Sequence, residues 1–186
     1  MLFQYETDRL ILKILKPECA LQVLDFYNRD KELFEKYETA RMPDFYTVAH
    51  QQKLLRFEYN AAIKQSTIRY YVFLKNDPSK IIGTVCLHDI NKLYFNCAEI
   101  GYKFSSQNHH QGYAYEAIKN ILEIAFYNLN INRITAMVCK GNDPSVRLLE
   151  RLGFTMEGIC RQYLCLNGQM KDHFQYSMLQ SDILCV

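Results

Sequence analysis

A single α/β domain, with a mixed and mostly antiparallel sheet and helices on both of its faces, is what the sequence predicts. Apolar runs of strand length recur between residues 69 and 104 with turn residues between them. One long segment, 114–129, repeats its apolar residues at helical spacing, and strand-like and helix-like segments then alternate as far as a terminal hairpin signal. At 186 residues the chain is long enough for one sizeable core and short for two. No repeat, low-complexity tract or Pro/Gly-rich linker divides it, so one domain is expected over 1–186.

Each element has its own signal. Residues 9–15 (RLILKIL) read as a short strand. Pro17 stands where the first turn of a helix accepts proline, with Ala20, Leu24 and Tyr27 along one side. A second helical stretch runs from 31 to about 38, and Pro43 marks a turn. Thr47 can cap a longer helix on which Leu55, Tyr59, Ala62 and Ile63 share a face. Residues 69–75, 81–90 and 94–104 read as three antiparallel strands, divided by Asn76-Asp77-Pro78-Ser79 and by Asn91-Lys92. In the regular helix Ala114, Ala117, Ile118, Ile121, Leu122, Ala125 and Leu129 fall three and four apart, while Glu116, Lys119, Asn120 and Glu123 point elsewhere. A strand (133–139), a short helix (145–152) and two strands (154–164 and 169–178) about the hairpin signal Asn167-Gly168 complete the chain.

Composition narrows the function. With 22 Lys and Arg against 20 Asp and Glu, the formal charge of +2 is too small, and too dispersed, for a nucleic-acid partner. Glu6, Asp8 and Arg9 stand where a signal peptide would be apolar, and runs such as 81–87 fall far short of the roughly 20 residues of a membrane helix. A cytoplasmic protein with no membrane partner is therefore expected. The seven cysteines are odd in number, include no Cys-x-x-Cys and fall partly in apolar strand-like runs, which suits reduced, buried thiols and no metal site.

The segment between Phe104 and the regular helix has a more specific form. A strand, a polar loop (105–111) and a helix entered through Gly112-Tyr113-Ala114 leave the first helical N–H groups free at the positive end of the dipole. Two readings stand: an anion site that Gly112 lets an anion approach closely, or an ordinary loop–helix junction. Neither the Gly-x-Gly-x-x-Gly nor the Gly-Lys-Ser/Thr fingerprint is present.

His109-His110-Gln111-Gly112-Tyr113-Ala114 resembles the coenzyme A loop, Gln/Arg-x-x-Gly-x-Gly/Ala, of the GNAT superfamily of N-acetyltransferases. More narrowly, the chain is similar to the RimJ/RimL-like branch, which acetylates ribosomal-protein N-termini. The motifs that carry this, in order, are Thr7-Asp8-Arg9-Leu10-Ile11-Leu12, Ile82-Gly83-Thr84-Val85, Ala98-Glu99-Ile100-Gly101-Tyr102, Asn142-Asp143-Pro144-Ser145 running to Leu152-Gly153-Phe154, and Asn167-Gly168 with Asp172. The resemblance implies a GNAT fold whose sheet splays in the middle, acetyl-CoA as co-substrate and no metal. The acceptor it implies is an amine, namely a protein N-terminus, a polyamine or a small antibiotic, and the assembly a monomer or homodimer. A coenzyme sensor without turnover is the alternative.

The same resemblance assigns residues. The pyrophosphate is expected on backbone amides from His110 to Tyr115, in a loop formed by His109, His110, Gly112, Tyr113, Ala114 and Tyr115. Strand 97–104 is expected along the pantetheine arm, with Ile100, Tyr102 and Phe104 as contacts; for the aromatics, core packing is the other reading. Asn142 is a further expected contact. Glu99 is the candidate base, direct or through water, on the strand face opposite Ile100 and Tyr102; a positioning carboxylate or an ion pair are its other readings. Ser145 is a candidate for assisting the departing thiolate, as well as a possible helix cap. Leu149 stands where many members have the tyrosine acid, His109 where Gln or Arg is usual, and Leu164 where some RimL-like enzymes have a glutamate. No Lys or Arg lies within 105–115, which turns attention to Lys140 and Arg147. The acceptor is expected to enter between residues 31–66 and the Asn167 hairpin, where Tyr37, Phe45, Tyr46 and Tyr59 are candidate lining residues.

Overall fold

The computed structural model describes residues 1–183. Eight strands form one sheet: β1 (Gln4–Glu6), β2 (Leu10–Lys13), β3 (Ile68–Leu74), β4 (Ile81–Asn91), β5 (Cys97–Phe104), β6 (Arg133–Cys139), β7 (Thr155–Leu166) and β8 (Gln169–Leu179). Their spatial order is β1-β2-β3-β4-β5-β6-β8-β7, and every neighbouring pair is antiparallel except β5 and β6. Among the described residues six α-helices accompany them: α1 (Ala20–Arg29), α2 (Lys31–Glu35), α3 (Val48–Ile63), α4 (Tyr113–Glu123), α5 (Asp143–Leu152) and α6 (Gln180–Ile183). A π-helical turn, Ile124–Asn128, continues α4. This is the expected fold class, with β1 as an edge strand that the apolar pattern did not mark.

Alternation along β3 divides the core in two. Ile68, Tyr70 and Val72 face one side of the sheet and pack with Ala117, Ile118, Ile121 and Leu122 of α4. Tyr71 and Phe73 face the other side and pack with Val23, Phe26 and Tyr27 of α1, Phe34 of α2 and Leu55 of α3. The hairpin turn has Asn167 at φ +51° and Gly168 at φ +77°, the paired left-handed conformation that a two-residue turn of matching twist requires.

Two helix faces differ from the expected ones. On α1, Val23 and Phe26 complete the buried side, and Leu24 is only half-buried. Thr47 does cap α3, accepting from His50 N at 3.2 Å, but Ile63 is 59% exposed while Gln51 and Glu58 are buried. Partners on other elements reverse the pattern. Glu58 accepts from Arg69 Nε at 2.6 Å and from the Tyr71 hydroxyl at 2.9 Å, and Gln51 donates to the Phe45 carbonyl at 2.6 Å. Cysteine burial is also less general than expected: Cys86 and Cys139 are buried, Cys19, Cys97 and Cys160 half-buried, and Cys165 exposed. Cys185 lies outside the described residues. Among the described residues no cluster of three or more His, Cys, Asp or Glu is placed to hold a metal, and no helix is long and apolar enough to cross a membrane.

The sheet is continuous except at its centre. β5 pairs with β6 only over Cys97–Glu99 against Arg133–Thr135. Beyond that, β5 stays with β4 as far as Phe104, opposite Gly83, and β6 stays with β8 as far as Cys139, opposite His173. The two strands therefore diverge after Glu99. Gly83 holds one side of this split in shape, because a Cβ there would lie 2.4 Å from the Phe104 ring. Gly83→Ala should lower the urea midpoint by the equivalent of about 1–3 kcal/mol, the usual range for overpacking. An unchanged midpoint would show that the Phe104 ring is free to move aside.

Candidate active site

The loop after β5 is fastened at its start by Asp30, between α1 and α2. Ser105 Oγ donates to Asp30 Oδ2 at 2.6 Å and Ser106 N to Asp30 Oδ1 at 3.2 Å. Burial would raise the Asp30 carboxyl, but these hydrogen bonds outweigh it and hold the group below the usual carboxylate range. The His109 ring shares a hydrogen bond with the Phe104 carbonyl (3.0 Å), so the side chain in the Gln/Arg position tightens the loop. His110 (φ +59°) and Gly112 (φ +80°) are left-handed, and the chain turns through them into α4. Among the described residues no side chain caps α4; its first amides, from Tyr113, Ala114 and Tyr115, are left at the positive end of the dipole.

A cation packs against this loop from the far end of the sequence. Arg9 Nη1 donates to the Gln111 carbonyl at 3.0 Å, and its guanidinium lies over the Tyr113 ring at 4.7 Å. Glu116 on α4 anchors it by accepting from Arg9 Nε (2.6 Å), Arg9 N (2.9 Å) and Thr7 Oγ1 (2.6 Å). Burial opposes ionisation of Glu116, yet these bonds bring its carboxyl below the ordinary range. Sequence reasoning gave Arg9 no role. The signals were its place in the first family motif and a loop that lacked a cation.

Across the split, Tyr102 of β5 reaches α5. Its hydroxyl lies 2.8 Å from Ser145 Oγ. Burial pushes the phenol up to about 12, against a smaller opposing effect of the Ser145 bond, so the group stays protonated. Asn142 precedes α5, and its carbonyl accepts from Ser145 N and Val146 N, at 3.1 and 3.2 Å. Neither the Asn142 nor the Ser145 side chain caps the helix. Ile100 and Phe104 are buried in the α4 core, so at these positions only backbone faces the split. Leu149 is fully buried there as well.

Glu99 projects from the opposite face, as strand alternation requires. His88 is its cross-strand partner on β4, with Nε2 3.8 Å from Glu99 Oε1. The other ring nitrogen is 2.9 Å from Asp89 Oδ2. Asp89 is left-handed (φ +51°) where the β4–β5 register shifts, and this bulge aims the imidazole. Burial raises the Glu99 carboxyl; His88 opposes the shift and Asp89 adds to it. On β7, burial raises the Tyr163 phenol and the Glu99 charge adds to the shift.

Farther along the same face, Lys103 meets Glu38, which also pairs with Arg41. Burial, then Arg69 and Arg41, push the Lys103 ammonium well below the usual lysine range. These contacts pin the segment after α2 over β5. Between that segment and the hairpin lies a cleft of about 460 Å³, lined by Lys36, Tyr37, Lys140, Asn167, Gln169 and Lys171 among others. Tyr37 is the one expected aromatic that lines it. Phe45 is buried, Tyr46 donates to Glu35 at 2.7 Å, and Tyr59 packs on Phe3. A depression of about 580 Å³ at Arg161, Gln162 and Asp172 is larger but contains none of the groups above.

A family profile described as "Acetyltransferase (GNAT) domain" matches residues 9–155. The probable N-acetyltransferase YjcK of Bacillus subtilis (strain 168) is 31% identical over 173 residues, covering 93% of this chain and 95% of that protein. A crystal structure of ribosomal-protein-S5-alanine acetyltransferase from Vibrio fischeri superposes with a TM-score of 0.90 at 26% identity, over 96% of this chain and 97% of that one. RimJ of Mycobacterium smegmatis, solved in complex with CoA-disulfide, has the same fold (TM-score 0.87, 21% identity, 94% of this chain and 83% of that one).

Proposed function

The chain belongs to the GNAT acetyltransferase family, and from that premise we propose that it works as a single cytoplasmic domain that transfers the acetyl group of acetyl-CoA to a primary amine. The observation that carries the reading is the split between β5 and β6, with free helix amides and Arg9 at one end and Glu99 at its apex. Two features support a fit to the coenzyme. The first is the uncapped α4 N-terminus behind a left-handed glycine, suited to a pyrophosphate. The second is the strand edge from Ile100 to Phe104, which has no β6 partner and can pair with the amides of an extended arm.

Bound acetyl-CoA supplies the acetyl group as an activated thioester. Amides from His110 to Tyr115 and the Arg9 guanidinium hold the phosphates, and Asn142 is free to meet the arm. Glu99, beside His88, takes a proton from the incoming ammonium, directly or relayed through a water. Ser145, backed by the neutral Tyr102 phenol, offers a hydroxyl where many relatives use a tyrosine at the position of Leu149. That pair supports turnover over a coenzyme sensor.

Release of CoA on adding an amine tests the reading. It is best followed by chromatography, because Cys165 is exposed and would react with thiol reagents. No release with any peptide or amine would sink it. Ser145→Ala should lower kcat about tenfold to a hundredfold, with acetyl-CoA binding close to wild type. Tyr102→Phe should act in the same direction, and the double variant should fall short of the product of the two losses. Wild-type turnover in Ser145→Ala would remove the serine from the leaving-group step.

A further inference from the structure

The cleft beside the split has a charge character that the chain as a whole lacks. Three lysines line it, Lys36, Lys140 and Lys171, and no carboxylate does. None of the three pairs with a carboxylate among the described residues: Lys36 lies 5.0 Å from the centre of the Tyr37 ring, Lys171 donates to Gln169 Oε1 at 2.7 Å, and Lys140 is exposed. The nearby Lys103 and Arg41 are already committed to Glu38. In a chain with 22 cationic and 20 acidic side chains, three uncompensated cations in one cleft form a local positive field.

The cleft's position fixes what that field would meet. Cys139 of β6 borders the cleft, and Thr135 of the same strand sits opposite Glu99. Four residue steps along the strand separate the two, or about 13 Å, a distance an extended peptide covers in about four residues. With its amine at Glu99, such a peptide would place roughly its third to fifth residues among the lysines. A polyamine of that reach would place a second ammonium there, against three like charges.

Resting on the acetyl-transfer reading above, we propose that the acceptor is a peptide N-terminus carrying acidic side chains at about its third to fifth residues, and that Lys36, Lys140 and Lys171 select it. The test uses hexapeptides with identical first two residues and Asp, Asn or Lys at positions three to five. The acidic peptide should have the lowest KM, about tenfold below the lysine peptide at low salt, and the gap should narrow as sodium chloride is added. Lys140→Gln and Lys171→Gln should each narrow it severalfold at constant salt. Equal kcat/KM for the three peptides, or preference for the lysine peptide or for spermidine, would overturn the proposal and leave acetyl transfer standing. So would a rise in the KM of acetyl-CoA in place of the peptide's, since the lysines would then serve the coenzyme's phosphates. If no amine at all is acetylated, the transfer reading fails and the substrate class fails with it.

Discussion

Replacing Glu99 by Gln should reduce kcat by roughly 10²- to 10⁴-fold while leaving the fold intact. Glutamine keeps the size and hydrogen-bonding capacity of the side chain but cannot accept the proton. The carboxyl is partly buried, and burial raises its pKa, with His88 and Asp89 from β4 beside it and the Tyr163 phenol of β7 within reach of its charge. The sign follows from the role. A base works only when ionised, so activity should be present above its raised pKa and lost as pH falls through it, above the ordinary carboxylate range. In Glu99→Gln that limb should vanish, and raising the pH should recover part of the rate, because free amine then forms without help. A loss below about fivefold at neutral pH would reduce Glu99 to holding the acceptor or pairing with His88, since general-base removal costs far more.

Much of this scaffold was readable because its determinants are local. The one-sided apolar series from Ala117 to Leu129 specifies a helix wherever it docks, and Asn167-Gly168 specifies its turn without help from outside. Strand alternation alone put Glu99 and Tyr102 on opposite faces. What local pattern misses is any group whose partner lies on another element. Glu58 reads as a solvated helix position until Arg69 and Tyr71 are beneath it. The same blindness hid Arg9, more than a hundred residues from the loop it serves, and the meeting of Tyr102 with Ser145. His88 went unremarked because its importance depends on cross-strand register and on a bulge at Asp89 that no composition signal announces. The motifs marked the right region; the partners inside it depend on tertiary register.

For the coenzyme end of the site, Gly112→Val should abolish the rise in melting temperature that acetyl-CoA produces in the wild type. A ligand that binds only the folded state stabilises it by about 3 kcal/mol at a hundredfold over its Kd, a shift of several degrees for a chain of this size. Two physical effects act against the variant. Gly112 sits at φ +80°, a conformation that costs a β-branched residue on the order of 1–3 kcal/mol. A Cβ there would also lie 3.4 Å from Arg9 Nη2, at the N-cap of α4, where an anion must come close. The first effect lowers stability by itself, so the quantity to read is the acetyl-CoA shift, with the melting temperature of the free protein measured alongside. Gly168→Val supplies the control. It imposes comparable strain at φ +77° in the β7–β8 hairpin turn, where nothing lies within 4 Å of the added Cβ. That variant should melt lower yet keep its coenzyme shift, while Gly112→Val should lose the shift whatever its own stability. An undiminished shift in Gly112→Val would place the phosphates away from α4, and the role assigned to Arg9 would go with them.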